Sequence, residues 1–235
     1  MQDLLSRLRA ALAAAGDPQN VAGAKRFFRE PIDTYGLRAA DTRALATAFG
    51  KELKGQSKES VFTLCEDLFR SGKMEEGHIA AAWAWSRRRE FSETDGDRFE
   101  RWIDRYVTNW AVCDNFCNKA VGALFTRFPA LLPRTEAWAL SPNRWMRRAA
   151  AVSLIAPARK GFFPEESFRV ADLLLTDADD LVQKGYGWLL KEQCKKNEAA
   201  VYAFVEARKD RMPRTALRYA IEKMSPGDRK SLMER

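Results

Sequence analysis

Histidine is nearly absent from this chain: one residue, His78, in 235. A zinc site built on several histidines is therefore excluded, and His78, in EEGHIAAAWAW, reads as a plain helical position. The four cysteines, Cys65, Cys113, Cys117 and Cys194, form no CxxC pair and no disulfide spacing. Reduced thiols in a cytoplasmic protein are the expectation, with neither metal nor cofactor. No apolar run approaches the roughly 18 residues that a membrane span requires. The opening MQDLLSRLRAALAAAG reads as an amphipathic helix carrying Asp3, Arg7 and Arg9, not as a secretory signal. Alternation at period two is missing, as is any Asn-Gly or Asp-Gly hairpin. GKELKGQS (50–57) has glycines spaced as in a phosphate loop, but Gln56 stands where lysine is required and no strand precedes it.

What remains is helix. Hydrophobic residues make up 46% of the chain, which excludes disorder. Periodicity predicts helices near 3–15, 18–29, 39–52, 58–71, 75–89, 96–107, 111–128, 130–139, 142–157, 165–176, 179–195, 197–208 and 212–224, with a short one after Pro226. Ser141-Pro142 reads as a cap followed by proline at the first helical position. Pro164-Glu165-Glu166 opens another helix with acids at its positive end. Asp179 or Asp180 caps the helix after 179.

That helix has one side chain out of pattern. In DDLVQKGYGWLLKEQCKK (179–196), Val182, Tyr186, Leu189 and Leu190 share one face, while Lys184, Trp188 and Lys191 share the opposite one. An indole between two lysines reads as presented rather than packed, and Gly185 and Gly187 beside it read as room for a partner to approach. An anionic, partly aromatic partner such as nucleic acid fits that stripe. An indole covering the next helix of a repeat array fits it as well.

The second half repeats weakly. WMRRAAAV (145–152), LVQKGYGW (181–188) and MPRTALRY (212–219) overlay with spacings of 36 and 31 residues, within the range of helical-pair solenoids. The second helices carry Arg144, Arg147 and Arg148, then Lys184 and Lys191, then Arg214 and Arg218. The net charge of +8, 40 Lys+Arg against 32 Asp+Glu, would thus gather on one surface. The expected fold is all-α, a superhelix of helical pairs forming one domain over 1–235, with a concave basic groove.

In TNWAVCDNFCNKAVGALF (108–125), Trp110 and Asp114 stand at i and i+4, and Cys117, Val121 and Phe125 continue that side. Asp114 is then a carboxylate among apolar neighbours, a costly placement unless it is paired or used. Alternatively it caps a helix beginning at Asn115.

NWAVCD (109–114), NRWMRRAAAV (143–152), VQKGYGWLLKE (182–192) and MPRTALRYAIEK (212–223) together resemble the AlkD-like DNA alkylation repair family of HEAT-like repeat proteins. The resemblance is strong from about 105 to 224 and loose before that. It implies a DNA glycosylase that excises cationic N-alkylated purines, such as 3-methyladenine and 7-methylguanine, from duplex DNA without a metal. It places the lesion-side aspartate on Asp114, the two tryptophans on Trp110 and Trp188, and a backbone arginine on Arg148. A second arginine of the pattern is Lys191 here, which keeps the charge but loses bidentate geometry. A tyrosine of the second helix is Phe27. Further phosphate candidates are Arg147, Lys184 and Arg214. The partner expected is double-stranded DNA carrying alkylated bases, bound by a monomer away from membranes. The competing readings are a non-catalytic DNA-binding protein of the same fold and a protein-binding solenoid.

Overall fold

The structure, a computed structural model, describes residues 2–234. Among these the only β feature is an isolated bridge between Asp33 and Lys73, and everything regular is helical. The helices are α1 (Gln2–Ala15), α2 (Pro18–Phe27), α3 (Ala39–Gly50), α4 (Lys58–Arg70), α5 (Met74–Ser86), α6 (Asp95–Tyr106) and α7 (Trp110–Phe116). They continue as α8 (Gly122–Arg127), α9 (Pro133–Ala139), α10 (Arg144–Ala158), α11 (Pro164–Leu173), α12 (Asp180–Glu206), α13 (Arg214–Ala220) and α14 (Pro226–Met233). No described helix is long and apolar enough to cross a membrane. No described cluster of three or more histidine, cysteine or acidic side chains is arranged to hold a metal ion.

Contacts divide the chain into two compact units, one of residues 1–91 with 105–116, the other of 92–104 with 117–235. In the first, α4 packs on α5, α3 and α7 pack on α5, and α1 packs on α3. Leu8, Leu12, Val61, Leu68, Ile79 and Ala80 fill its core. The Phe69 ring meets Phe116 edge-on at 5.2 Å, and the buried Trp83 indole donates to the Ala46 carbonyl at 2.9 Å. In the second, α9 packs on α10, α10 and α11 pack on α12, and α12 packs on α13. Val182, Tyr186, Leu189 and Leu190 are fully buried, as the helical period predicts, and the Tyr186 hydroxyl donates to Leu175 O at 2.8 Å. All four cysteines are buried thiols, and burial pushes Cys194 up to about 12.

The repeat seen in sequence has a polar counterpart in the second unit. Arg134 pairs with Glu100, Arg169 with Glu136, Arg208 with Asp172, Arg147 with Asp177, Arg159 with Glu192 and Lys191 with Glu222. Their sequence separations, 30 to 36 residues, match the spacing of the repeats. Each repeat is therefore ion-paired to its neighbour along the chain.

Three local expectations need correction. The helix expected from Pro142 begins at Arg144, because Asn143 supplies the cap, accepting from Trp145 N at 2.9 Å, while Ser141 accepts from Asn143 N. Asp114 does not cap a helix: Asn109 does, accepting from Val112 N at 3.0 Å, and the helix runs through Asp114. The side expected to continue from Asp114 into Cys117, Val121 and Phe125 is interrupted by a π-helical turn at Cys117–Val121. That turn rotates the later residues away from the 3.6 register. Cys117, Val121 and Phe125 are accordingly buried, while Trp110 and Asp114 keep partial exposure.

Candidate nucleic-acid interface

In the first unit the site is built on α7. Gly77 of α5 admits this helix closely: a Cβ at Gly77 would stand 2.9 Å from Val112 Cγ2. That approach fixes α7 against the core and leaves Trp110 and Asp114, one turn apart, half-exposed. The Trp110 indole is not isolated. Phe28 stacks on it, with centroids 5.2 Å apart and planes 19° apart, and Phe27 meets it edge-on at 6.0 Å. Phe28 is buried, whereas Phe27 is 71% exposed. Asn115 follows Asp114 and lies 3.0 Å from His78 Nδ1, so the lone histidine is hydrogen-bonded to the same helix.

The helix that delivers Phe27, α2, buries none of its own residues. It is located by its neighbours instead. Asn20 donates to Gly36 O at 3.0 Å, and the stretch around Gly36 is gathered onto one buried carboxylate, Glu75. Glu75 accepts from Thr34 Oγ1 at 2.6 Å and from the backbone amides of Tyr35, Gly36 and Leu37 at 2.9–3.0 Å. A carboxylate taking four donors holds a loop more firmly than apolar contact would.

In the second unit the expected site residues sit on α10, α12 and α13. Asp179 caps α12, accepting from Leu181 N at 2.9 Å. Trp188 is half-exposed on the face shared with Lys184 and Lys191, as the sequence predicts. Its Nε1 donates to Glu192 at 3.3 Å, and the Arg159 guanidinium lies 5.8 Å from its ring centroid. Burial pushes the Glu192 carboxyl up, but bonds from Lys195 (2.6 Å) and Arg159 (2.9 Å) outweigh it and hold the group below the ordinary carboxylate value.

The two glycines beside Trp188 do not clear space for an outside partner. A Cβ at Gly187 would meet Tyr219 Cβ at 2.7 Å and Ala216 O at 2.8 Å, so its bareness lets α13 pack against α12. Gly185 faces the Arg148 side chain at 3.5 Å. Arg148, expected at phosphate, is only 5% exposed and donates through Nη1 to the Leu181 carbonyl.

The other expected cations are also engaged. Lys191 pairs with Glu222 at 3.0 Å over the Tyr219 ring, Lys184 with Asp180 at 3.0 Å, and Arg147 with Asp177 at 2.6 Å. Arg214 donates to Met233 O at 3.1 Å. Sequence reasoning missed Phe28, Glu75, Arg159 and Glu192. The Trp188–Glu192 spacing of i, i+4 was readable, and so was the Phe27-Phe28 pair. The 33 residues between Arg159 and Glu192 offered no local signal.

An aromatic-flanked carboxylate lies on α7 of the first unit, and an indole amid cations lies on α12 of the second. The family described as DNA alkylation repair enzyme matches residues 8–224. The chain belongs to that family. A solved structure described as a predicted DNA alkylation repair enzyme from Enterococcus faecalis superposes with a TM-score of 0.79 at 19% identity, covering 90% of this chain and 97% of that one. At that identity the likeness shows the fold, the all-α helical-pair fold expected from the sequence. No curated protein matches the chain. Family membership takes in both α7 and α12, so all the aromatic and charged residues described above lie within it.

Proposed function

We propose that this DNA alkylation repair family member is an N-glycosylase that removes cationic N-alkylated purines, such as 3-methyladenine and 7-methylguanine, from duplex DNA. The observation that carries the reading is the placement of Asp114 one helical turn from Trp110, whose indole is propped by Phe28 and edged by the exposed Phe27.

Alkylation of a ring nitrogen puts a positive charge on the base and makes it a good leaving group. As the N-glycosidic bond stretches, the sugar becomes oxocarbenium-like. The Asp114 carboxylate would stabilise that growing charge and orient the attacking water. At ~4 Å and an effective dielectric of about 20, the attraction is roughly 4 kcal/mol. Where it is felt only in the transition state, that is about a thousandfold in rate. Trp110 offers a π face to the cationic sugar, roughly 0.5–2 kcal/mol, and Trp188 is proposed as a separate aromatic contact for the DNA. No general acid is needed, because the leaving base already carries its charge. Lys191, Arg147, Lys184 and Arg214 are the proposed phosphate contacts, the buried Arg148 instead bracing α12 through the Leu181 carbonyl, and a monomer suffices.

The test is release of methylated base from N-methylpurine DNA by the wild type and by Asp114→Asn. The wild type should release base and the variant should be slower by a hundredfold or more, with DNA affinity nearly unchanged. Wild-type protein that binds the duplex but releases nothing would instead mark a non-catalytic DNA-binding member of the fold.

A further inference from the structure

The loop that closes α10 and opens α11 holds a phenylalanine in water. Phe162 is 47% exposed, a large apolar ring facing solvent. The loop around it is not slack. Gly161 (φ 85) and Phe163 (φ 56) both take left-handed backbone conformations, the second a costly one for a residue with a side chain. Lys160 N and Phe162 N donate to Pro157 O at 2.9 and 3.1 Å, and Gly161 N donates to Ala158 O at 2.9 Å. On the far side, Ser167 donates to Phe163 O through both its amide and its hydroxyl, at 3.0 and 2.7 Å. The ring is therefore presented by backbone fixed at both ends.

On its α10 and α12 side the surroundings are cationic, while Glu165 and Glu166 follow it on α11. Arg159 and Lys160 precede it and are exposed. The loop lies along the stem of Lys196, whose Cγ would be 3.6 Å from a Cβ at Gly161. Lys195 and Arg159 converge on Glu192, the carboxylate bonded to Trp188. One residue thus links this loop to the indole of the proposed site. An apolar ring on a rigid tip with cations about it complements a polymer of stacked bases edged with phosphate.

We propose that Phe162 is a wedge for duplex DNA: its ring enters a weakened base step while Arg159, Lys160, Lys195 and Lys196 hold the phosphates on either side. The inference rests on DNA being the substrate, but not on base release. A residue that enters a weakened step reads local unstacking, because a missing or damaged base lowers the cost of entry. It gives the protein a preference for distorted duplex that no cation alone supplies.

The probes are two labelled duplexes of equal length, one intact and one with a tetrahydrofuran abasic analogue, titrated by fluorescence anisotropy. The wild type should favour the abasic duplex. Phe162→Ala should lose about tenfold on that duplex. It should stay within about twofold on the intact one, with an unchanged salt slope because no charge is removed. Phe162→Trp should keep the preference. The double variant Lys160→Ala, Lys196→Ala should flatten the log–log salt slope by about two while the preference persists. Matching thermal melts exclude a folding defect. Phe162→Ala that binds both duplexes like the wild type, with base release intact, overturns the wedge and leaves the glycosylase reading standing. Wild type that binds neither duplex overturns both. Phe162-dependent pelleting with phosphatidylserine vesicles, without any effect on DNA, would assign the loop to a membrane surface and likewise overturn it.

Discussion

Phe28 lies nearly parallel to Trp110, ring on ring at 5.2 Å, and by that contact fixes the indole one turn from Asp114. Its neighbour Phe27 touches the same indole from a solvent-facing position. Adjacent phenylalanines thus divide the work, and their truncations should differ. Phe28→Ala removes a buried ring and should cost about 3 kcal/mol of stability. Phe27→Ala should leave stability within about 0.5 kcal/mol and yet weaken binding to lesion DNA severalfold. Thermal melts beside binding titrations check both. Equal melting temperatures for the two variants would contradict the stacking role.

Gly187 is where α12 and α13 come nearest. Gly187→Ala should destabilise by about 1–3 kcal/mol, because the new methyl meets a backbone oxygen and a Cβ, neither of which can swing away. Gly185→Ala faces only ordinary contact with the Arg148 stem and should be neutral, or stabilising by helix propensity. Denaturant melts of the pair separate the two positions.

Lys191 and Arg147 already hold carboxylates of this chain. Phosphate that displaces Glu222 or Asp177 frees a carboxylate, which takes up a cation in exchange for the one released from the DNA. The log–log salt slope for duplex should therefore be shallower than the number of phosphate contacts implies. Glu222→Gln should steepen it by about 0.9 and raise affinity at low salt. An unchanged slope would show that Lys191 takes no part in DNA binding.

Glu192 sets a pH dependence. Its folded-state carboxyl is held below its ordinary value of 4.5, so its stabilising contribution is complete above that value and is lost as pH falls through the lower one. Wild type and Glu192→Gln should differ in melting temperature at pH 7 and converge only in acid, once pH has fallen through the lowered folded-state value. A difference that persists into strong acid would put the stabilisation elsewhere.

Much of the fold was legible because burial writes itself into helical spacing. The buried stripe of α12 was readable residue by residue. So was its interruption to within a residue, for Asn197, the first residue of the segment expected at 197–208, leaves helical geometry (φ −137°, ψ 46°). The π-helical turn after Phe116 was not readable, since one extra residue per turn is a response to packing and not a pattern of residue types. At the site, Trp188 was placed on the correct face from periodicity alone. Its neighbours Arg159 and Lys195, the purpose of Gly187 and the burial of Arg148 depend on which helices become adjacent. Spacing within a single helix cannot carry that.

The concealment of the thiols has a meaning for such a protein. Electrophilic methyl donors, the agents that damage DNA in this way, react fastest with soft thiolate sulfur. Cys65, Cys113, Cys117 and Cys194 are all withdrawn from solvent, and Cys194, with its value near 12, stays protonated at neutral pH. A member of an alkylation repair family that hides its softest nucleophiles is spared the very chemistry whose products it meets.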